Sequence, residues 1–239
     1  NIEIVPAAAN TLTSTLDDYG AATINGTYAV PAGLVPSKDA LITEQQDESG
    51  SNPYVNIIVA RSEDKDNETY KKIVEAYHTQ TVAEFIIGNY NETFIPAFEY
   101  DEAKAESDAD KTVEEVNAYK SSQEGKTVVT VGVCGANNDQ WKAVQKVLDD
   151  ENAGIYIKLQ EYDAYTIPNE ALNAGDIDLN AFQHKAYLNN EVETQGYKIE
   201  TIGDTLIAPL SLYSKKVSSV DELKELQSRI IKKNKTCNL

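Results

Sequence analysis

Two segments rich in β-branched residues constrain the fold of this chain most. Residues 54–60 and 127–134 are dominated by Val, Ile and Thr, and nearly continuous apolar runs of this length are typical of strands buried on both faces of a sheet. A helical pattern of apolar residues follows each run. Its positions are Tyr70, Ile73, Val74 and Tyr77 after the first run, and Trp141, Val144 and Leu148 after the second. The alternation of strand and helix predicts an α/β fold with a parallel sheet.

The same patterns predict further elements along the chain. Shorter strands are predicted at residues 2–5, 21–24, 155–159, 197–202 and 205–208. Thr81 and Glu84 have the spacing of a capping box, which predicts a helix that begins there. Two more helices are predicted, over residues 180–193 and 220–226.

Composition excludes several classes of protein. The chain has 239 residues, of which 41% are hydrophobic, enough for one large domain or two small ones. A net charge of −18 argues against binding a nucleic-acid backbone or an anionic lipid surface. No apolar run approaches the ~20 residues of a membrane span. The sequence contains no Met, from which we expect a processed or truncated piece of a longer protein.

An acidic segment separates the two regions that alternate strand and helix. Residues 99–126 carry nine acidic residues and four lysines, with few large apolar residues. We predict a linker that is partly helical and mostly solvated. The predicted organisation is therefore one region at 1–98, the linker at 99–126, a second region at 127–226, and a basic tail without periodicity at 227–239.

Few residues offer catalytic or metal-binding chemistry. Cys134 lies in an apolar strand pattern and is expected to be a buried free thiol, whereas His78 is expected at the surface near a helix end. An enzyme would depend on Cys134 and His184, whose spacing is not typical of a nucleophile and its base. No second His or Cys lies at metal-ligand spacing, and the glycines near residue 132 lack the dinucleotide-binding spacing. We predict no catalysis, no metal and no cofactor.

Four segments resemble a known family. They are residues 165–188, which include Phe182-Gln183-His184, and residues 24–29, 51–59 and 212–223. These segments resemble the NlpA-type methionine-binding lipoproteins, the substrate-binding components of methionine ABC importers. The resemblance implies a two-lobed, type II periplasmic-binding-protein-like fold.

The order of the two regions departs from the family. In the family, the part similar to residues 127–224 precedes the part similar to residues 1–98. We therefore expect a circularly permuted order, or a chain that spans parts of two tandem domains. A stretch that carries a strand, a helix and the arginine for the ligand carboxylate is expected to be absent, which leaves the second lobe incomplete. Neither Arg61 nor Arg229 is expected to replace that arginine.

The resemblance also implies four ligand-binding residues. Tyr165 and Phe182 resemble the aromatic walls of a pocket for the methionine side chain, and His184 resembles a polar residue of that pocket. Asn25 resembles the residue whose amide holds the amino or carboxylate group of the ligand. Structural alternatives stay open: Tyr165 and Phe182 as core, His184 as a satisfied helix residue, and Asn25 as a turn residue before a glycine.

The function implied by the resemblance is capture of L-methionine, or a related small amino acid, outside the cell. Its expected partner is an ABC transporter permease. Contact with the membrane is expected only through a lipid anchor that this chain lacks, and no nucleic acid is expected as partner. The alternative is a truncated or domain-swapped fragment with weak or no ligand binding.

Overall fold

The computed structural model of this chain describes residues 3–44, 52–90, 93–135 and 137–223. The strands in these ranges are β1 (Ala22–Ile24), β2 (Ala40–Thr43), β3 (Asn56–Arg61), β4 (Ile95–Pro96), β5 (Thr127–Cys134), β6 (Ile155–Tyr162), β7 (Leu179–His184), β8 (Ile199–Asp204), β9 (Leu206–Ile207) and β10 (Ser211–Tyr213). The helices are α1 (Gly26–Ala29), α2 (Pro36–Asp39), α3 (Glu68–Tyr77), α4 (Gln80–Tyr90), α5 (Glu102–Ala118), α6 (Gln140–Asp150), α7 (Pro168–Ala174) and α8 (Lys185–Gln195). Short 3-10 turns lie at Ala9–Thr11, Leu16–Asp18 and Ser62–Asp64. None of the helices in these ranges has the length and apolar character to cross a membrane.

The chain divides into two compact units. The small unit contains Asn1–Gln46 and Pro209–Leu239, and the large unit contains Asp47–Ala208. Each unit has its own sheet and its own apolar cluster, which confirms the predicted two-lobed α/β class. This division does not follow the predicted boundaries at residues 98 and 127. The assignment of residues 1–98 and 127–226 to halves of a permuted domain stays a prediction.

The small unit is built around a three-stranded antiparallel sheet. Its strand order is β1-β10-β2, so β10 joins two strands that lie far from it in sequence. Leu16, Ile24, Ala29 and Tyr213 are almost fully buried and form its core. The helix α1 begins after Asn25, whose side-chain oxygen accepts a hydrogen bond from the Thr27 N–H at 2.9 Å. This contact satisfies one of the free N–H groups at the helix start.

The large unit contains a mixed five-stranded sheet with the order β6-β5-β7-β3-β8. Only β5 pairs in parallel, with β6 and β7, whereas β3 pairs antiparallel with β7 and β8. The prediction of a parallel sheet is therefore correct for three strands and wrong for the other two. A strand's own residue pattern shows that it is buried, but its direction depends on how the chain enters the sheet.

Helices cover both faces of this sheet, as the continuous apolar strands predict. Ile58 and Ala60 of β3 face a cluster with residues of α3, α4 and α6. Ile57 and Val59 face the opposite cluster, with residues of α7 and α8. All four side chains are fully buried, and each Val or Ile contributes about 1.5–3 kcal/mol when it leaves water. Such a strand has no solvent-facing side, which explains its unbroken apolar sequence.

The acidic segment contains the helix α5, which packs against α4. Asp101 caps its start, since the carboxylate accepts a hydrogen bond from the Lys104 N–H at 3.0 Å. Small residues allow the two helices to approach: a Cβ on Gly88 of α4 would lie 3.1 Å from the Cβ of Ala109. Val116, which is 1% exposed, belongs to the main apolar cluster of the large unit. This segment thus belongs to the large unit, and part of it packs into the core of that unit.

Three element predictions differ from the structure, and a fourth is tested only in part. Residues 180–193 do not form one helix, because residues 180–184 belong to the strand β7 and α8 begins at Lys185. The helix α4 begins one residue before Thr81, and Glu84 accepts a hydrogen bond from Thr112 instead of capping that helix. Residues 3–5 form no strand, and Ile4 is 86% exposed. The helix predicted at 220–226 is present through residue 223, beyond which the chain lies outside the described residues.

Candidate functional site

Five rings of the large unit form one aromatic cluster. It consists of Tyr54, Tyr165, Phe182, His184 and Tyr187. The Tyr165 and Phe182 rings stack at 5.9 Å between centroids. Tyr187 makes T-shaped contacts with Phe182, at 6.2 Å between ring centroids, and with His184, at 6.4 Å. Tyr54 makes a T-shaped contact with His184 at 5.2 Å. The structure thus brings together three of the four predicted site residues.

The ends of sheet strands place these rings side by side. Phe182 and His184 lie at the carboxyl end of β7, and Tyr165 follows the carboxyl end of the parallel strand β6. Tyr54 precedes β3, which pairs antiparallel with β7, so its position is also at this edge. Open α/β sheets bind ligands beside the carboxyl ends of parallel strands. This location supports a ligand-binding role.

His184 connects β7 to α8. It is the residue before the helix, and its Nδ1 accepts a hydrogen bond from the Tyr187 N–H at 3.1 Å. The capping contact fixes the ring orientation. His184 is therefore not a residue inside a helix, as one alternative proposed, but a cap at the start of one.

Tyr187 adds a hydroxyl to the cluster. Its side chain is part-buried, and its hydroxyl donates to the Tyr165 carbonyl oxygen at 3.3 Å. Burial, followed by the negative charge of Glu191, raises the pKa of Tyr187 to about 12. The phenol therefore stays protonated at neutral pH and remains a hydrogen-bond donor.

Asn25 belongs to the small unit, where it caps α1 through the Thr27 N–H. This local backbone contact is similar to the alternative in which Asn25 is a turn residue before Gly26. The cap uses the side-chain oxygen as an acceptor, whereas the amide NH₂ is a donor group that this contact does not use. A ligand contact by Asn25 stays a prediction.

Sequence reasoning missed three residues that the fold places at this site. Tyr54 and Tyr187 contribute rings, and Asn56 lies directly opposite His184 in the pairing of β3 with β7. Tyr187 lies three residues after His184, a spacing that would have indicated contact if the helix start had been recognised. No local signal could reveal Tyr54 or Asn56, because strand pairing brings them to His184.

The other candidates for chemistry are used structurally. Cys134 is 3% exposed, and burial together with the charge of Asp163 raises the pKa of its thiol to about 12, which confirms a buried free thiol. His78 is half-buried rather than at the surface: its Nε2 lies 2.7 Å from the Asp204 carbonyl oxygen, and its ring stacks on Phe98. This difference arises because α3 packs on β8.

Arg61 also has structural partners. Its Nε pairs with Asp64 at 2.8 Å, and its Nη1 donates to the carbonyl oxygens of Leu172 and Ile177 at 3.2 and 2.7 Å. The guanidinium thus ties the end of β3 to α7 and the following loop. Within the described residues, no three His, Cys, Asp or Glu side chains lie close enough together to hold a metal ion.

The chain is similar to a known protein family, to individual relatives and to solved structures. A family model described as NlpA lipoprotein matches residues 1–98 and 129–239. The D-methionine-binding lipoprotein MetQ of Escherichia coli K12 is 44% identical over 98 residues, which cover 41% of this chain and 36% of that protein. Outer membrane lipoprotein 2 of Mannheimia haemolytica is 39% identical over 108 residues, covering 45% and 39%. A solved structure of a phosphate-binding protein of an ABC transporter from Streptococcus pneumoniae aligns with 91% of this chain and 77% of that one, at 14% identity and a TM-score of 0.44.

Proposed function

This chain belongs to the NlpA lipoprotein family, and from that membership and the aromatic cluster we propose that it binds methionine. The aligned segments span only 36% and 39% of the two relatives described above, so the function of the whole protein is part of the proposal. We propose that this protein captures methionine, or a related small amino acid, outside the cell and delivers it to an ABC permease. It acts by binding, without catalysis.

The observation that carries the proposal is the aromatic cluster at the edge of the mixed sheet. Tyr165 and Phe182 stack and are only part-buried, so they offer an apolar wall at the surface of the large unit. A thioether gains about 0.3–1.5 kcal/mol from contact with an aromatic ring edge. His184 adds an imidazole ring and Tyr187 a phenol beside this wall. An apolar surface with a few polar groups suits an amino acid with an unbranched, sulfur-containing side chain.

Two further parts of the proposal concern residues and location. By its similarity to the family, Asn25 holds the amino or carboxylate group of the ligand. The matched relatives are named as lipoproteins, and we propose the same extracytoplasmic, lipid-anchored location for the complete protein. The permuted order of the two regions is likewise proposed on the segments that resemble the family.

Calorimetry with L-methionine and D-methionine tests this function. We expect micromolar or tighter binding to the full chain, and a loss of at least about ten-fold for Phe182→Ala, equivalent to about 1.4 kcal/mol. The matched control is Phe98→Ala, since Phe98 is also a part-buried phenylalanine of the large unit but stacks on His78 outside the aromatic cluster. Absence of binding to either enantiomer, or equal losses in both variants, would refute the proposed site.

A further inference from the structure

Three buried side-chain amides lie on the strand that carries Phe182 and His184 and on the helix α7, which packs on it. Asn169 of α7 and Asn180 of β7 are fully buried, and Gln183 of β7 is 3% exposed. We call these residues the amide triad. Burial of a polar group removes its hydrogen bonds to water and is unfavourable unless the group finds partners in the protein. Three of them at one place therefore require an explanation.

The amide triad forms a closed hydrogen-bond network. The Asn169 side-chain oxygen accepts from Asn180 Nδ2 at 2.9 Å and from Gln183 Nε2 at 2.6 Å. In return, Asn169 Nδ2 donates to Gln183 Oε1 at 2.8 Å, and Gln183 Nε2 also donates to Asn180 Oδ1 at 3.0 Å. Asn180 Nδ2 makes a further bond to the Pro168 carbonyl oxygen at 3.3 Å. Each oxygen of the triad is thus an acceptor, and the network fixes all three side chains relative to one another.

The triad lies at an irregularity in the sheet. Ile57 of β3 pairs with Gln183, whereas Val59 pairs with Asn180. Two steps along β3 therefore face three steps along β7, which is the pattern of a β-bulge with one extra residue in β7. In a regular strand, residues three apart point to opposite faces. The bulge lets Asn180 and Gln183 both reach Asn169, on the face that α7 covers.

The bulge also decides where the neighbouring side chains point. Phe182 lies within the bulge, and His184 directly follows Gln183 at its end. The directions of the Phe182 and His184 side chains therefore depend on the position of the extra residue. A shift of the bulge by one position would reverse the facing of the residues it passes. Apolar side chains could fill the same space, but only directional hydrogen bonds favour one position of the bulge over another.

We propose that the amide triad is a positioning device, which locks the bulge in β7 and thereby holds Phe182 and His184 in the aromatic cluster. Asn169, Asn180 and Gln183 act through these two rings and do not touch the ligand. The effect of the triad on ligand affinity rests on the proposed function, that this chain binds methionine. The position of the rings can be tested without any ligand.

The ligand-free test uses imidazole resonances of the full-length chain. The sequence contains two histidines, and His78, whose Nε2 contacts the Asp204 carbonyl oxygen, is an internal reference outside the triad. In Asn169→Ala and Gln183→Ala we expect the ring resonances of His184 to shift and those of His78 to stay in place. The control is Leu172→Ala, since Leu172 is a fully buried residue of α7 that packs in the same apolar cluster without an amide. It should leave the His184 resonances near their parent positions.

The ligand test measures methionine affinity at a temperature where every variant is folded. We expect about a ten-fold loss for Asn169→Ala, the effect of about 1.4 kcal/mol of lost contact, and less than about a two-fold loss for Leu172→Ala. If Asn169→Ala does not fold, Asn169→Ser, which puts a hydroxyl in place of the amide, is used instead in both measurements.

The outcomes separate the inference from the proposed function. Unchanged His184 resonances in Asn169→Ala and Gln183→Ala would overturn the positioning role, as would equal shifts in Leu172→Ala. If the His184 resonances shift in Asn169→Ala and Gln183→Ala but the parent protein binds neither enantiomer of methionine, the positioning role is supported and the proposed function is refuted.

Discussion

Asp149 offers the sharpest test of what fixes the acidic segment (residues 99–126) within the large unit. Its carboxylate, 9% exposed, accepts four hydrogen bonds. Lys126 Nζ and Gln145 Nε2 donate to Oδ1 at 2.6 and 3.0 Å, and the hydroxyls of Tyr119 and Ser121 donate to Oδ2 at 2.8 and 2.5 Å. Three of these donors lie in residues 119–126, between α5 and β5. One side chain of α6 thus fixes the end of the acidic segment.

The stability lost in Asp149→Ala can be estimated from the loss of a mostly buried charge pair. In Asp149→Ala the four donors lose the carboxylate, and the Lys126 ammonium, whose side chain is 21% exposed, is left without its counter-ion. Lys126 Nζ keeps its contact with Ser121 Oγ, and Gln145 Nε2 keeps its hydrogen bond to the Ile155 carbonyl oxygen. Removing one partner of a buried pair costs about 3–5 kcal/mol. Since Lys126 retains some contact with water, we expect about 3 kcal/mol at neutral pH. The matched control is Asp150→Ala, because the Asp150 side chain is 58% exposed and pairs with Lys146 one helical turn away. We expect that change to cost at most about 0.5 kcal/mol.

The pH dependence of the effect has a definite sign. Burial alone would raise the pKa of Asp149, but the hydrogen bonds from Lys126, Ser121 and Tyr119 outweigh it and hold the pKa below its usual value. A carboxyl with a lowered pKa stabilises the folded state above its ordinary pKa of about 3.9, and that contribution is lost as the pH falls through the lowered value. The difference in stability between the parent and Asp149→Ala should therefore shrink below about pH 4.

Urea unfolding followed by circular dichroism measures the loss of stability, and hydrogen exchange locates it. In Asp149→Ala we expect faster amide exchange in residues 119–126 than in the parent. Equal stabilities of Asp149→Ala and Asp150→Ala at pH 7, within about 0.5 kcal/mol, would refute the reasoning. A difference between parent and variant that grows as the pH falls below 4 would also refute it.

Two further predictions concern the packing of α4 against α5. Gly88→Ala places a methyl group 2.9 Å from Val113 Cγ2 and 3.1 Å from the Cβ of Ala109, so we expect a loss of about 1–3 kcal/mol in thermal unfolding. The control is Gly20→Ala, whose Cβ would lie 3.9 Å from Leu223 Cδ2, the nearest contact among the described residues, and which should change stability by less than about 0.5 kcal/mol. Thr112→Val removes the hydroxyl that donates to the buried Glu84 carboxylate at 2.6 Å and should cost about 1–3 kcal/mol. In that case Thr112→Ser is the control, and a Ser variant as unstable as the Val variant would contradict a role for the hydroxyl.

Local sequence patterns predicted the helices and strands whose buried residues follow a regular pattern along the chain. The strand predicted at Thr127–Cys134 has the observed bounds, because an unbroken β-branched run between helical patterns leaves little alternative. The apolar stripe of α6 is also confirmed, since Trp141, Val144 and Leu148 are all buried. In both elements the physical cause, burial of one face or two, acts on consecutive residues and is therefore visible in the sequence.

The strand β7 could not be predicted in this way. Its sequence contains Asn180 and Gln183, polar residues that a periodicity argument places at the surface, yet both are buried. They are buried because Asn169 of α7 provides partners for their amides, and no local pattern shows that partner. The helix predicted over residues 180–193 is therefore wrong for residues 180–184, whereas residues 185–193 are helical.

The candidate site shows the same division. The residues Tyr165, Phe182 and His184 were identified from a sequence motif, and the structure gathers them in one cluster. Tyr54 and Tyr187 joined them only through tertiary structure. By itself, the sequence determined the α/β class, the buried strands and most of the aromatic residues of the site, because hydrophobic periodicity and motif are properties of neighbouring residues. Only the tertiary structure decided strand direction, the bulge in β7 and the other two rings of the cluster, because these depend on contacts that no local sequence pattern shows.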